Sequence, residues 1–262
     1  MKTVWVYARF ITTTMCLICL SCAVAAHRAG DTPQAYYDEG VTDYERKLWP
    51  EANNAFNTLK QKYPYSKYAA LADLRLADVK FKAGAYLEAI EAYRLFIQSH
   101  PSHEEVPYAK FREALSNFKE LSDDYFFLPP SYEKDQNQVQ KAATAFKEFL
   151  DTYPDNKNAT EATEKLRLCR HRLFDHDLYV ARFYRRIKKY PGAIGRYEFV
   201  RHHYAEYGTE PFVLLELSET YVKSGDATKA KLVLNEIVTQ HGQSKEAKVA
   251  AQMLAKLDFK KK

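Results

Sequence analysis

The sequence predicts an all-α protein, a solenoid of about five helix hairpins with one further helix capping its C-terminal end. Three observations carry this. Composition favours helix, because only 8 of 262 residues are Gly while 28% are charged and 46% hydrophobic, enough to bury a core. One spacing pattern recurs along the chain. Residues 157–189 run without Pro or Gly, long enough for a helix of roughly 45 Å.

The recurring pattern aligns on an alanine: Ala52, Ala89, Ala142, Ala193 and Ala230. Four residues later stand Phe56, Tyr93, Phe146, Tyr197 and Leu234, and three after those Leu59, Phe96, Phe149, Val200 and Ile237. These positions share one face of a helix. Tyr63, His100, Tyr153, Tyr204 and His241 follow, then Pro64, Pro101, Pro154, Ala205 and Gly242, which act as stops. A partner helix precedes each segment, at 35–48, 68–83, 106–121, the long helix, and 212–224; residues 244–257 read as the cap. Gly84 and Gly225 mark two hairpin turns. A small residue that admits a close neighbour, with an aromatic one turn on, is the logic of a tetratricopeptide (TPR)-like array.

The long helix is expected to pack along one seam, Leu166, Cys169, Leu173, His176, Val180, Phe183 and Ile187, alternating three and four apart. The middle repeats are longer than the others. Part of the excess is residues 122–135, where Tyr125, Phe126, Phe127 and Leu128 precede two prolines. Two readings stand: a loop folded onto its own core, or an aromatic wall lining a groove.

Residues 1–30 hold no acid, carry Lys2 and Arg9 early, then run through an uncharged stretch. This reads as a secretory signal, too short to span a membrane permanently. Leu20-Ser21-Cys22-Ala23 resembles a lipobox with Cys22 as the acylated residue, while Ala23-Val24-Ala25 offers an ordinary cleavage site. The partition that follows is a signal peptide at 1–21, a flexible acyl-anchored linker at 22–34, an N-terminal half at 35–156 with repeats 1–3, and a C-terminal half at 157–262 with the long helix, repeats 4–5 and the cap. Cys169 is then the only other cysteine of the mature chain besides Cys22, expected as a buried small hydrophobe.

Losing Lys2 and Arg9 lowers the formal charge from +5 to +3, too mild to imply nucleic acid. No phosphate loop, nucleophile elbow, HExxH or paired-cysteine pattern occurs in the sequence. The expectation is therefore no catalytic residue, no metal ligand, no cofactor and no nucleic-acid partner. His171 and His176 lie five apart, about 140° around a helix, and do not converge on an ion. His176 is expected as a hydrogen-bonded core histidine.

Tyr63-Pro64-Tyr65-Ser66-Lys67-Tyr68-Ala69, the 122–135 insertion, and above all His176-Asp177-Leu178-Tyr179-Val180-Ala181-Arg182-Phe183-Tyr184 resemble the BamD family, the TPR lipoproteins of the bacterial outer-membrane protein assembly machine. The resemblance spans 36–257. Lys67, Asp177 and Gly195 depart from the residues usual there. It implies a periplasmic scaffold, acyl-anchored (palmitate) in the outer membrane. Such a scaffold binds the POTRA domains of the barrel insertase with its C-terminal repeats and unfolded outer-membrane proteins with its N-terminal repeats, beside other assembly lipoproteins. A soluble periplasmic adaptor of the Tol-Pal or cell-envelope machinery is the alternative.

For clients, whose terminal strands alternate aromatic and polar residues, the candidate contacts are Tyr36, Tyr37, Tyr44, Tyr68, Phe81, Tyr108 and Phe111, with Tyr125 and Phe126 of the insertion; core packing is the other reading of each. For the insertase the candidates are Arg182, Arg185, Arg186 and Lys189 on one side of the long helix, and Arg196 in the next, which aligns with a basic family position. A solvated face is the alternative to a docking face there.

Overall fold

A computed structural model describes residues 30–121 and 130–259. Cys22, the stretch expected as a signal segment, Tyr125 and Phe126 lie outside the described residues. Twelve α-helices are formed and no strand among the described residues. They are α1 Pro33–Glu45, α2 Trp49–Lys62, α3 Lys67–Lys82, α4 Tyr86–Ser99, α5 Val106–Lys119, α6 Asn137–Thr152, α7 Ala159–Arg186, α8 Tyr190–His203, α9 Ala205–Gly208, α10 Pro211–Ser224, α11 Ala227–Gln240 and α12 Lys245–Phe259. A single 3-10 turn at Ser131–Glu133 precedes α6.

Packing divides the chain into two compact units, one ending at Val79 and one starting at Lys80, so the boundary falls inside α3. In the first unit Ala52, Phe56 and Leu59 of α2 meet Ala69, Ala72 and Val79 of α3, with Tyr36, Tyr37 and Tyr44 of α1 packed against them. Buried Gly40 makes this possible: a Cβ there would lie 2.5 Å from the Phe56 ring. In the second unit α4 to α8 pack each on the next, α8 packs on α10, and α10, α11 and α12 follow in order. Contacts to nearest and next-nearest helices are the signature of a solenoid.

The repeat triplet is the core. All of Ala52, Phe56, Leu59, Ala89, Tyr93, Phe96, Ala142, Phe146, Phe149, Ala193, Tyr197, Val200, Ala230, Leu234 and Ile237 are at most 1% exposed. Each large member contributes about 1.5–3 kcal/mol of apolar burial. Each of these helices ends ahead of its expected stop at Pro64, Pro101, Pro154, Ala205 or Gly242, with Tyr63, His100, Tyr153, Tyr204 and His241 as the capping residues. Their backbone N–H groups bond to the carbonyls of Leu59, Phe96, Phe149, Val200 and Ile237.

The turn inside each hairpin has a stricter rule than the two glycines indicate. Five residues before the alanine the backbone enters the left-handed region at Gly84 (φ 82°) and Gly225 (φ 86°), and equally at Lys47 (φ 62°) and Lys188 (φ 61°). The next residue's N–H then reaches back to the helix it leaves: Leu48 to Asp43, Ala85 to Lys80, Lys189 to Tyr184 and Asp226 to Tyr221, at 2.9–3.0 Å. This is a Schellman-type closure, in which glycine is the unstrained choice. The third repeat has Asn137 at this position, already the first residue of α6.

Helix α7 runs 28 residues without a break, about 42 Å. Its buried stripe differs from the expected seam. Ala162, Cys169 and Leu173 are buried as one line, but Phe174, Leu178 and Ala181 take over roughly 120° further round, while Phe183 and Ile187 are 40% and 43% exposed and His176 and Val180 only half-buried. A strict 3.5-residue seam presumes one neighbour. This helix has α6 on one side and α8 on another, and its apolar face turns from the first to the second. Cys169 is 1% exposed, and burial pushes its thiol up to about 12. His176 Nδ1 lies 2.6 Å from the Tyr132 carbonyl, and the Tyr132 and Tyr179 rings meet at 5.7 Å, so the end of the insertion is seated on α7.

Candidate functional site

The last turns of α7 carry Arg182, Arg185 and Arg186 past the point where apolar burial ends. Arg182 donates from Nε and Nη2 to both oxygens of Glu216 at 2.8–3.2 Å, and Arg185 from Nη1 to Glu219 at 3.2 Å. The match is one of spacing. Two arginines three apart on α7 face two glutamates three apart on α10, each pair 34 residues apart in sequence. Glu216 also accepts from the hydroxyl of buried Tyr197 at 2.8 Å. Burial first, and then the neighbouring carboxylate, push that hydroxyl above the ordinary phenol range. One turn earlier on α7, Asp177 accepts from Tyr204 at 2.8 Å and from Arg196 at 3.4 Å.

Beyond these pairs a cleft of about 380 Å³ is lined by Arg182, Arg185, Arg186, Lys188, Tyr190 and Lys223. Arg186 is exposed and lies 5.7 Å from the ring of its neighbour Phe183. Lys189 is exposed at the entry to α8 and does not line the cleft. Three of the five expected basic residues are therefore brought to one cleft, and Arg182, Arg185 and Arg196 are engaged within the chain. The expectation lacked Lys188, Tyr190 and Lys223, which belong to a turn and two further helices. It also lacked Glu216 and Glu219, whose spacing was visible in the sequence but whose partner helix was not.

The aromatic candidates fall in both units. In the first, the Tyr36 hydroxyl donates to Asp31 at 3.1 Å and accepts from Lys62 at 2.7 Å, Lys62 also bonds Asp31 at 2.9 Å, and Tyr63 donates to the Asp31 carbonyl at 2.8 Å. The Tyr37 ring meets Phe56 and Tyr68, and its hydroxyl accepts from Arg75 at 3.3 Å; Tyr44 meets Trp49 edge-on. All five of these tyrosines are half-buried. In the second unit Phe111 is 4% exposed between Phe146 and Phe149, a core residue. Phe81 is 9% exposed beneath the Arg112 guanidinium, 3.7 Å from its ring centre, with the Tyr108 ring 5.7 Å from the same group. Packing takes up the ring faces of Phe81 and Phe111, and leaves Tyr36, Tyr37, Tyr44, Tyr68 and Tyr108 with part of their surface in water.

Among the described residues no group of His, Cys, Asp and Glu is arranged to hold a metal ion, and no helix is long and apolar enough to cross a membrane. Helix pairs stacked on a shared small-large-apolar triplet, with charge concentrated at a helix corner, define a TPR-type helical-repeat protein. Residues 29–231 match the family described as YfiO, outer membrane lipoprotein, and the chain belongs to that family. It is similar to the outer membrane protein assembly factor BamD of Xylella fastidiosa (strain Temecula1), 28% identical over 199 residues that cover 74% of this chain and 67% of the relative. BamD of Rickettsia prowazekii is 27% identical over 195 residues, covering 74% of each. Among solved structures, the crystal structure of MamA protein aligns at TM-score 0.39 and 16% identity, covering 82% of this chain and 94% of that one.

Proposed function

We propose that this chain is an outer-membrane protein assembly factor that acts as a scaffold and not as an enzyme, held at the periplasmic face of the outer membrane by acylation at Cys22. Its C-terminal repeats dock the POTRA region of the barrel insertase through the end of α7 and the start of α8. Its N-terminal repeats meet unfolded barrel precursors through half-exposed tyrosines. The observation that carries this reading is family membership over 29–231, with BamD relatives matching three quarters of the chain.

Geometry adds support for the docking face. Arg186 and Lys189 are exposed at a helix corner, and Arg196 is 48% exposed beside Asp177. Forked guanidinium donors at such a corner suit an acidic partner domain. For the client side, a tyrosine that keeps one ring edge in water can pack against a strand's aromatic residue and hydrogen-bond its backbone.

Recovery of the tagged full chain from envelope membranes, with identification of what accompanies it, tests the reading. The insertase is expected, and Arg186→Glu or Arg196→Glu is expected to reduce its recovery more than Lys60→Glu does. Equal losses count against the docking face. Cys22→Ala is expected to release the chain from membranes; a wild-type chain already free in the soluble periplasm would favour the Tol-Pal type of adaptor instead.

A further inference from the structure

The five cations of the cleft are not equivalent. Arg182 and Arg185 are offset by Glu216 and Glu219. Arg186, Lys188 and Lys223 have no carboxylate partner among the described residues. Those three come from different segments: the last turn of α7, the turn after it, and the last turn of α10. Tyr190, at the first position of α8, lines the cleft with them. The cleft has the room of about a dozen waters, more than one small anion displaces.

We propose that this cleft receives a short acidic segment of a partner protein, whose carboxylates are met by Arg186, Lys188 and Lys223 while Tyr190 hydrogen-bonds the segment. This rests on the scaffold reading and deepens it by naming Lys188, Tyr190 and Lys223 as contacts. A peptide is favoured over a phosphate group by the distribution of charge. Glu216 and Glu219 sit beside Arg182 and Arg185, where they repel a compact dianion brought between those two forks. The unpaired cations are single charges on separate segments, which a row of side-chain carboxylates matches one by one. Arg182 and Arg185 act as positioning residues, held by α10 so that the corner keeps its shape.

The test uses the full chain with a fluorescein-labelled oligoglutamate peptide, its oligoglutamine counterpart, and phosphatidylglycerol vesicles. Oligoglutamate is expected to bind, oligoglutamine not, and binding is expected to weaken as salt is raised. Lys188→Gly and Lys223→Ser together are expected to lower affinity about tenfold, with Lys248→Ser as an unaffected control. Glycine is chosen at 188 because it relaxes a left-handed backbone, so lost binding is not lost folding. Unchanged affinity in the double variant overturns the proposal, as does capture of the vesicles in place of the peptide. Envelope recovery with the same variants separates the two readings. Recovery that falls with peptide binding supports the cleft; undiminished recovery overturns the cleft and leaves the scaffold standing. A wild-type chain that recovers no envelope partner overturns the scaffold itself.

Discussion

Arg182 and Glu216 share two parallel N–H to oxygen bonds between the long helix and α10, and the same carboxylate accepts the hydroxyl of buried Tyr197. One side chain thus closes both an inter-helix ion pair and a core hydrogen bond. Arg182 is 45% exposed, so screening leaves its ion pair a modest share; the Tyr197 hydroxyl has no such relief. Glu216→Ala is expected to cost about 2–3 kcal/mol and Glu216→Gln, which keeps an acceptor, about half of that. Urea unfolding midpoints check this. Equal losses would mean that charge, and not the hydrogen bond, matters.

The buried triplet supplies a contrast of position. Phe146 is 0% exposed and Leu87 is 57% exposed. Phe146→Ala is expected to cost about 3–5 kcal/mol, and Leu87→Ala to stay within about 0.5 kcal/mol of the wild type. Thermal unfolding of the two variants side by side gives the comparison.

Lys47 and Lys188 stand where two other hairpins use Gly84 and Gly225. A left-handed backbone disfavours a residue with a Cβ by about 1–2 kcal/mol, part of which glycine's greater freedom in the unfolded chain takes back. Lys188→Gly is therefore expected to raise stability by up to about 1 kcal/mol, while Gly225→Ala lowers it by about 1 kcal/mol. Opposite signs in denaturant titrations are the signature to look for.

Hydrogen bonds from Lys62 and Tyr36 hold the Asp31 carboxyl below its ordinary 3.8. A lowered folded-state pKa gives stability that is present above the ordinary value and lost as pH falls through the folded one. Limited proteolysis just ahead of α1 is expected to accelerate on acidification below that range. In Asp31→Asn it is expected to be faster at neutral pH and flat across the same window.

Cys169 is expected to resist maleimide in the native chain at neutral pH and to react fully in denaturant, because its thiol is both buried and held protonated. Peptide mapping of the Cys169 fragment gives the readout. Native labelling at a rate similar to that of a free thiol would show that α7 opens there.

Much of this fold was legible because it repeats. A three-position code read five times averages out local exceptions, so all fifteen members of the repeat triplet are buried. What escaped lies where a residue's role depends on a distant neighbour. Gly40 and Gly208 are required by close approaches, to the Phe56 ring and to the Val200 carbonyl. Nothing local at Lys188 announces a left-handed turn. The seam on α7 was misread because periodicity reports a helix's own face and not how many neighbours share it. At the candidate site the basic stripe was visible on one helix, but its division into paired and unpaired charges was set by acids 34 residues away.

The clasp around Asp31 sets how the first hairpin answers a pull. Tension reaching residue 31 from the preceding chain meets Lys62, Tyr36 and Tyr63 before it loads the apolar seam between α1 and α2. These bonds lie at the surface, so each is individually weak and can open without unpacking the apolar seam. Under the anchoring proposed at Cys22, a pull along the linker is expected to slacken at residue 31 and keep the first hairpin intact.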